Sequence, residues 1–133
     1  MNENAKAWVA ALRSGEYEQG KRALHPTKNT YCCLGVACEL YRQANGGTWQ
    51  WYSDKGVFLD GLSILPTHSI LPIRVIKWLG LKSTIGSYPK GNGRYESLAA
   101  QNDSGVTFNE IADVIESEPE GLFLPIGEKE EKR

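Results

Sequence analysis

Residues 31–41, Tyr31-Cys32-Cys33-Leu34-Gly35-Val36-Ala37-Cys38-Glu39-Leu40-Tyr41, set three thiols and a close-packing glycine within one apolar stretch. Cys33, Val36, Ala37, Leu40 and Tyr41 recur at helical spacing up to the break at Asn45-Gly46-Gly47, so the run reads as a helix. Its buried face includes Cys33, with Cys32 and Cys38 on the flanks. The thiols allow two readings. In one they are small hydrophobes filling a tight core. In the other, Cys32 or Cys33 is a nucleophile at a helix start, where the dipole favours a thiolate. Packing is the reading adopted.

On the N-terminal side, Ala5, Trp8, Val9 and Leu12 mark an amphipathic helix that stops at Ser14-Gly15. Lys21 to Leu24 and Asn29 to Tyr31 flank a His25-Pro26 turn and are expected to form a short hairpin. On the C-terminal side, Thr48 to Tyr52 and Val57 to Leu59 are β-branched and aromatic around Ser53-Asp54-Lys55-Gly56, the pattern of a β-hairpin in which glycine supplies positive φ. Pro72, Ile73, Ile76 and Leu79, closed by Gly80, predict a short helix with proline at its first position. Residues 83–95 carry no periodicity and read as a loop. A short helix is expected over Glu96 to Gln101. Thr107-Phe108-Asn109-Glu110 is a capping box ahead of the stripe Phe108, Ile111, Ala112 and Ile115. These elements predict an α+β fold, mainly helical, with a short β-hairpin or small antiparallel sheet. One domain is expected over residues 1–126, followed by a charged, frayed tail at 127–133.

Composition narrows the function. With 133 residues, 15 basic and 16 acidic side chains, the chain lacks the broad positive field of a non-specific nucleic-acid binder. Three cysteines cannot pair completely in a monomer, which points to free thiols in a reducing cytosol. No stretch approaches the ~20 apolar residues of a membrane span, and no membrane partner is expected.

A thiol nucleophile needs a base and a group to orient it, and the imidazoles are His25 and His68. Cys32, His68 and Asn102 or Asp103 are the residues for such a triad. Cell-wall-cleaving cysteine peptidases also set a cysteine at a helix start, but the aspartate usual before it is here Tyr31. A zinc site from His25, Cys32, Cys33 and Cys38 lacks a Cys-x-x-Cys pair. The helix from Thr107 looks like the first of a helix-turn-helix, yet the continuation Ser117-Glu118-Pro119-Glu120-Gly121 is acidic and broken, so sequence-specific DNA binding is not expected. Among Asp103, Glu110 and Asp113, Glu110 belongs to the capping box and Asp113 to a polar helix face, which leaves no carboxylate pair for hydrolysis.

The loop at 83–95 and its flanks offer the parts of a ligand site. Lys82, Lys90 and Arg94 are cations, Tyr88 and Tyr95 are stacking faces, and Gly86, Gly91 and Gly93 allow backbone N–H groups near an anion. Such parts suit a phosphate-bearing, base-containing small molecule, although no P-loop spacing is present. Trp49, Trp51 and Tyr52 alternate faces of the hairpin, leaving an aromatic outside the core.

Trp8 to Tyr17 (WVAALRSGEY), Tyr31 to Leu40 (YCCLGVACEL), Leu71 to Leu81 (LPIRVIKWLGL) and Leu98 to Ile115 (LAAQNDSGVTFNEIADVI) together resemble a family of small uncharacterised phage and prophage proteins over residues 8–116. The resemblance implies a phage accessory protein acting in the host bacterial cytoplasm, and it implies no reaction. Asn102 and Asp103 are the shared polar pair least explained by packing. The resulting expectation is a non-enzymatic anti-defence protein, without cofactor, that sequesters a phosphorylated nucleotide immune signal. Lys90 and Arg94 would meet phosphate, Tyr88, Tyr95 or Trp51 would stack on base, and Asn102 and Asp103 would complete the site, with a homo-oligomer as one arrangement. The alternatives are a stoichiometric inhibitor of a host defence protein and a cysteine-dependent hydrolase.

Overall fold

The computed structural model describes residues 1–62 and 67–125, so the expected tail at 127–133 lies outside the described residues. Helix α1 spans Glu3–Arg13 and is capped by Asn2, whose side chain accepts the Ala5 N–H at 2.8 Å. Strand β1 (Glu18–Gln19) pairs in parallel with β2 (Thr30–Tyr31). The hairpin expected about His25-Pro26 is thereby corrected. The two strands run the same way because the intervening chain crosses α2 (Cys33–Asn45) before returning. Strands β3 (Thr48–Tyr52) and β4 (Lys55–Leu59) form the expected antiparallel hairpin. Its turn is Ser53-Asp54, with Ser53 at φ 62°, while Gly56 lies inside β4 against His25 and Trp51.

Helix α3 (Ile73–Leu79) follows, with Pro72 one position earlier than expected, as the N-cap, and Gly80 as a left-handed C-cap. Strands β5 (Ser87–Gly91) and β6 (Arg94–Ser97) occupy the stretch expected to be a loop. Gly91, Asn92 and Gly93 all take positive φ, so these glycines serve a tight turn. Helix α4 (Leu98–Asp103) starts two residues later than expected because Ser97 caps it, accepting the Ala100 N–H at 3.0 Å. Helix α5 (Phe108–Ser117) carries the full capping box between Thr107 and Glu110. The fold is α+β.

Helix α2 packs against α1, α3 and α4, and α1 packs against α5. From Cys33 to Glu39 every residue of α2 is buried, wider than the single face its spacing implied. Gly35 makes that possible. A Cβ there would stand 1.7 Å from the Leu24 carbonyl oxygen, so the 24–25 backbone crosses the helix in direct contact. The same carbonyl accepts the Cys32 N–H at 3.0 Å. Trp8 is fully buried beside this crossing and donates its indole N–H to the Cys33 carbonyl at 2.9 Å. Removing roughly 200 Å² of such a ring from water, at ~25 cal/mol/Å², contributes about 5 kcal/mol. No helix among the described residues is long and apolar enough to cross a membrane.

Candidate functional site

The thiols come first, because catalysis would start there. Cys32 is 6% exposed, and Cys33 and Cys38 are fully buried. Burial pushes the Cys32 thiol up to about 11, against the lowering effect of the Gly35 and Leu34 N–H groups, and raises Cys33 and Cys38 well above the ordinary thiol range. These sulfurs are protonated at neutral pH. His25 is buried, and burial lowers its pKa despite the Thr30 and Thr27 carbonyls. Its ring stacks on Tyr31 at 3.8 Å and its Nδ1 lies 2.7 Å from the Thr30 carbonyl. His68 is exposed, and its carbonyl accepts the Leu24 N–H. Among the described residues no three His, Cys, Asp or Glu side chains are grouped as a metal would need.

Asn102 was expected in a ligand site and is instead fully buried. Its Oδ1 accepts from Cys33 N–H at 3.1 Å and from Gln19 Nε2 at 2.9 Å, and its Nδ2 donates to the Gly20 carbonyl at 2.8 Å. Through these bonds Asn102, fully buried, joins β1, α2 and α4 in the interior. Its neighbour Asp103 accepts the N–H of Arg22, a residue at φ 71°, at 2.8 Å, and so holds the turn after β1.

Trp51 lies apart from the other expected ligand residues. Its ring meets His25 at 4.7 Å, and Lys28 Nζ sits 5.7 Å from its centroid. Trp49 closes the same cluster, 4.7 Å from His25, and donates to Glu39 Oε1 at 2.9 Å. Burial would raise the Glu39 carboxyl, but hydrogen bonds from Arg42, Gln43 and Trp49 outweigh it and hold the group at about 2. This is a structural hub for the hairpin.

The remaining expected residues belong to β5 and β6, where alternation sorts them. Register pairs Tyr88 with Glu96 and Pro89 with Tyr95, with a bulge between Pro89 and Gly91. Lys90 Nζ meets Glu96 at 2.9 Å, and the Tyr88 hydroxyl accepts from Gln101 at 2.8 Å. Tyr88, Lys90 and Glu96 therefore share one face with Arg94, and Ser87, Pro89 and Tyr95 share the other. This strand geometry sets Tyr95 on the face opposite Tyr88, Lys90 and Arg94, which were expected beside it or in its place as the stacking and phosphate-binding groups.

The Tyr95 face borders a cleft of about 520 Å³, a size typical of small-molecule sites. Its second wall is Lys82 and Ser83, and its third is Glu120, Gly121, Phe123 and Pro125. Backbone bonds tie these walls together, from Lys82 N–H to the Leu122 carbonyl at 3.1 Å and from Leu124 N–H to the Gly80 carbonyl at 2.8 Å. At Gly121, φ is +90° and a Cβ would stand 2.5 Å from Pro89 Cδ, so the C-terminal segment presses directly on β5. Ser83 Oγ accepts from Ser87 N–H at 2.7 Å and fixes the hairpin base. Tyr95, on the cleft wall, is 72% exposed. Lys82 and Glu120 make no ion pair among the described residues. The contribution of residues 120–125 was missed, because nothing local in Glu120-Gly121-Leu122-Phe123 announces a partner forty positions earlier. Alternation about the Gly91-Asn92-Gly93 turn is the signal that would have separated Tyr95 from Tyr88.

The fold and the cleft define a small α+β domain with an open, ligand-sized recess between a hairpin and its C-terminal segment. The chain belongs to the family of the domain of unknown function DUF8296, whose model matches residues 1–119. No curated protein and no solved structure matches it.

Proposed function

We propose that this protein is a non-catalytic capture protein that binds a small phosphorylated, ring-bearing molecule, a nucleotide, in the cleft beside β5 and β6. The observation that carries the reading is the placement of Lys82, free of ion pairs among the described residues, and the exposed ring of Tyr95 on walls of one 520 Å³ cleft. Lysine supplies the point charge that phosphate needs, and tyrosine supplies a face on which a base stacks. The buried, protonated thiols favour capture over turnover. The phage-like blocks over residues 8–116 support a host-cytoplasmic, anti-defence role in which the ligand is a nucleotide immune signal. Titration calorimetry with mononucleotides, cyclic dinucleotides and cyclic ADP-ribose isomers tests this. Binding to at least one, weakened about tenfold or more by Lys82→Ala or Tyr95→Ala, is the expected result. Absence of heat with every member removes the proposal.

Stoichiometric inhibition of a host defence protein is the second reading, favoured by one observation. Ile70 and Ile73, on either side of the Leu71-Pro72 entry to α3, are 40% and 57% exposed. A single partner recovered in stoichiometric amount from host lysate, and lost with Ile73→Asp, is its signature.

A further inference from the structure

Lys82 and Glu120 line one cleft without pairing among the described residues, and that arrangement restricts what the cleft can hold. A site built only for an anion gains nothing from a carboxylate on its wall, since Glu120 repels the phosphate that Lys82 attracts. Opposite charges held apart suit a ligand that brings an anion to one end and hydrogen-bond donors to the other. Tyr95, 72% exposed, lines the same cleft. A flat ring with a phosphate at one end and a donor edge at the other answers all three lining groups.

Among nucleobases, the edge chemistry separates the candidates. An ionised carboxylate only accepts hydrogen bonds. Guanine offers its ring N1–H and exocyclic N2–H2 side by side, spaced for the two oxygens of one carboxylate. Hypoxanthine keeps the ring N–H and lacks the amino group. Adenine offers one exocyclic N6–H beside a ring lone pair, which satisfies one carboxylate oxygen and repels the other. Resting on the nucleotide-capture reading above, we infer that the cleft selects a guanine nucleotide. Glu120 takes the guanine edge, Tyr95 stacks on the base, and Lys82 holds the phosphate.

The arrangement also gives Glu120 a role that structure alone does not require. It is exposed, it follows Pro119, and it makes no ion pair among the described residues. Replacement by glutamine keeps size and polarity, removes the charge, and leaves one acceptor oxygen in place of two.

The test is calorimetry of GMP, IMP, AMP and guanosine against the full chain and against Glu120→Gln and Lys82→Ala, with the fold of each variant checked by circular dichroism. The expected result is GMP binding about tenfold or more tighter than IMP, with AMP weakest. Glu120→Gln brings GMP down to the level of IMP, and Lys82→Ala reduces GMP to the level of guanosine. Equal affinities for GMP, IMP and AMP overturn guanine selection while leaving nucleotide capture standing. A preference for GMP unchanged in Glu120→Gln overturns the role of Glu120 and with it the inference. Failure of GMP, IMP and AMP all to bind overturns guanine selection in this cleft, and the reading on which it rests falls with it only when the cyclic dinucleotides and cyclic ADP-ribose isomers also give no heat.

Discussion

Asn102 Oδ1 accepts the backbone N–H of Cys33 at 3.1 Å across 69 positions of sequence. The first amide of α2 has no acceptor within its own helix, and Cys32 Sγ, at 3.4 Å from Gly35 N–H, is a weak cap. A buried amide from α4 supplies what the N-terminus of α2 lacks. The bond also explains the polar residue in Leu98 to Ile115 that packing left unexplained.

Asn102→Ala leaves the Cys33 N–H and the Gly20 carbonyl without their partner in the interior. A loss of about 3 kcal/mol in urea unfolding is expected. Asn102→Asp keeps one acceptor but turns a second toward the Gly20 carbonyl. Its carboxyl has a raised folded-state pKa, so its stability deficit shrinks as pH falls. An Asn102→Ala protein as stable as the parent would refute the role of this bond.

Gly35→Ala sets a methyl 1.7 Å from a backbone oxygen that cannot move alone, because the Leu24 carbonyl also accepts from Cys32. The expected loss exceeds about 3 kcal/mol, or the protein fails to fold. Gly15→Ala meets nothing within 4 Å and is strained only by its φ of +80°. A cost of about 1 kcal/mol is expected there, and thermal melts of the two variants make the comparison.

Glu39 gives the protein an acid-sensitive joint. Its folded pKa of about 2 lies below the ordinary 4.5, so the group stabilises the fold fully above pH 4.5. That contribution is lost as pH falls from 4.5 toward 2. The amount is about 3 kcal/mol as an upper estimate. Glu39→Gln flattens the dependence of the urea midpoint over this window, and an unchanged slope would show that other carboxylates carry it.

The thiols are expected to resist modification in the native state. Ellman's reagent at neutral pH should label all three cysteines only at the rate of global opening and completely in urea. Rapid native labelling of Cys32 would revive a nucleophile there.

Local signals were readable in the sequence and distant ones were not. The capping box of Thr107 and Glu110, the α1 stripe and the β3–β4 hairpin all depend on residues within a few positions of one another, and the structure keeps them. The parallel pairing of Glu18-Gln19 with Thr30-Tyr31 depends on a crossing over Gly35, which no neighbouring residue encodes. In β5 and β6, Pro89, the glycines and the lack of an alternating apolar face concealed a hairpin that is solvated on both sides near its tip. Of the expected ligand residues, Lys82 and Tyr95 line the cleft, and period-two alternation turns Tyr88, Lys90 and Arg94 to the other face. Trp51 is held by Lys28 and His25, and Asn102 by the backbone.

The division of β5 and β6 into two faces makes the recognition chemistry of the hairpin depend on chain length. Inserting or deleting one residue in β5 ahead of the bulge at Pro89 would turn that strand over by half a repeat, exchanging Ser87 and Pro89 on the cleft side for Tyr88 and Lys90 while β6 keeps Tyr95 there. A descendant of this protein could thus change the charge of its recess by a three-nucleotide indel, without altering the identity of a single side chain.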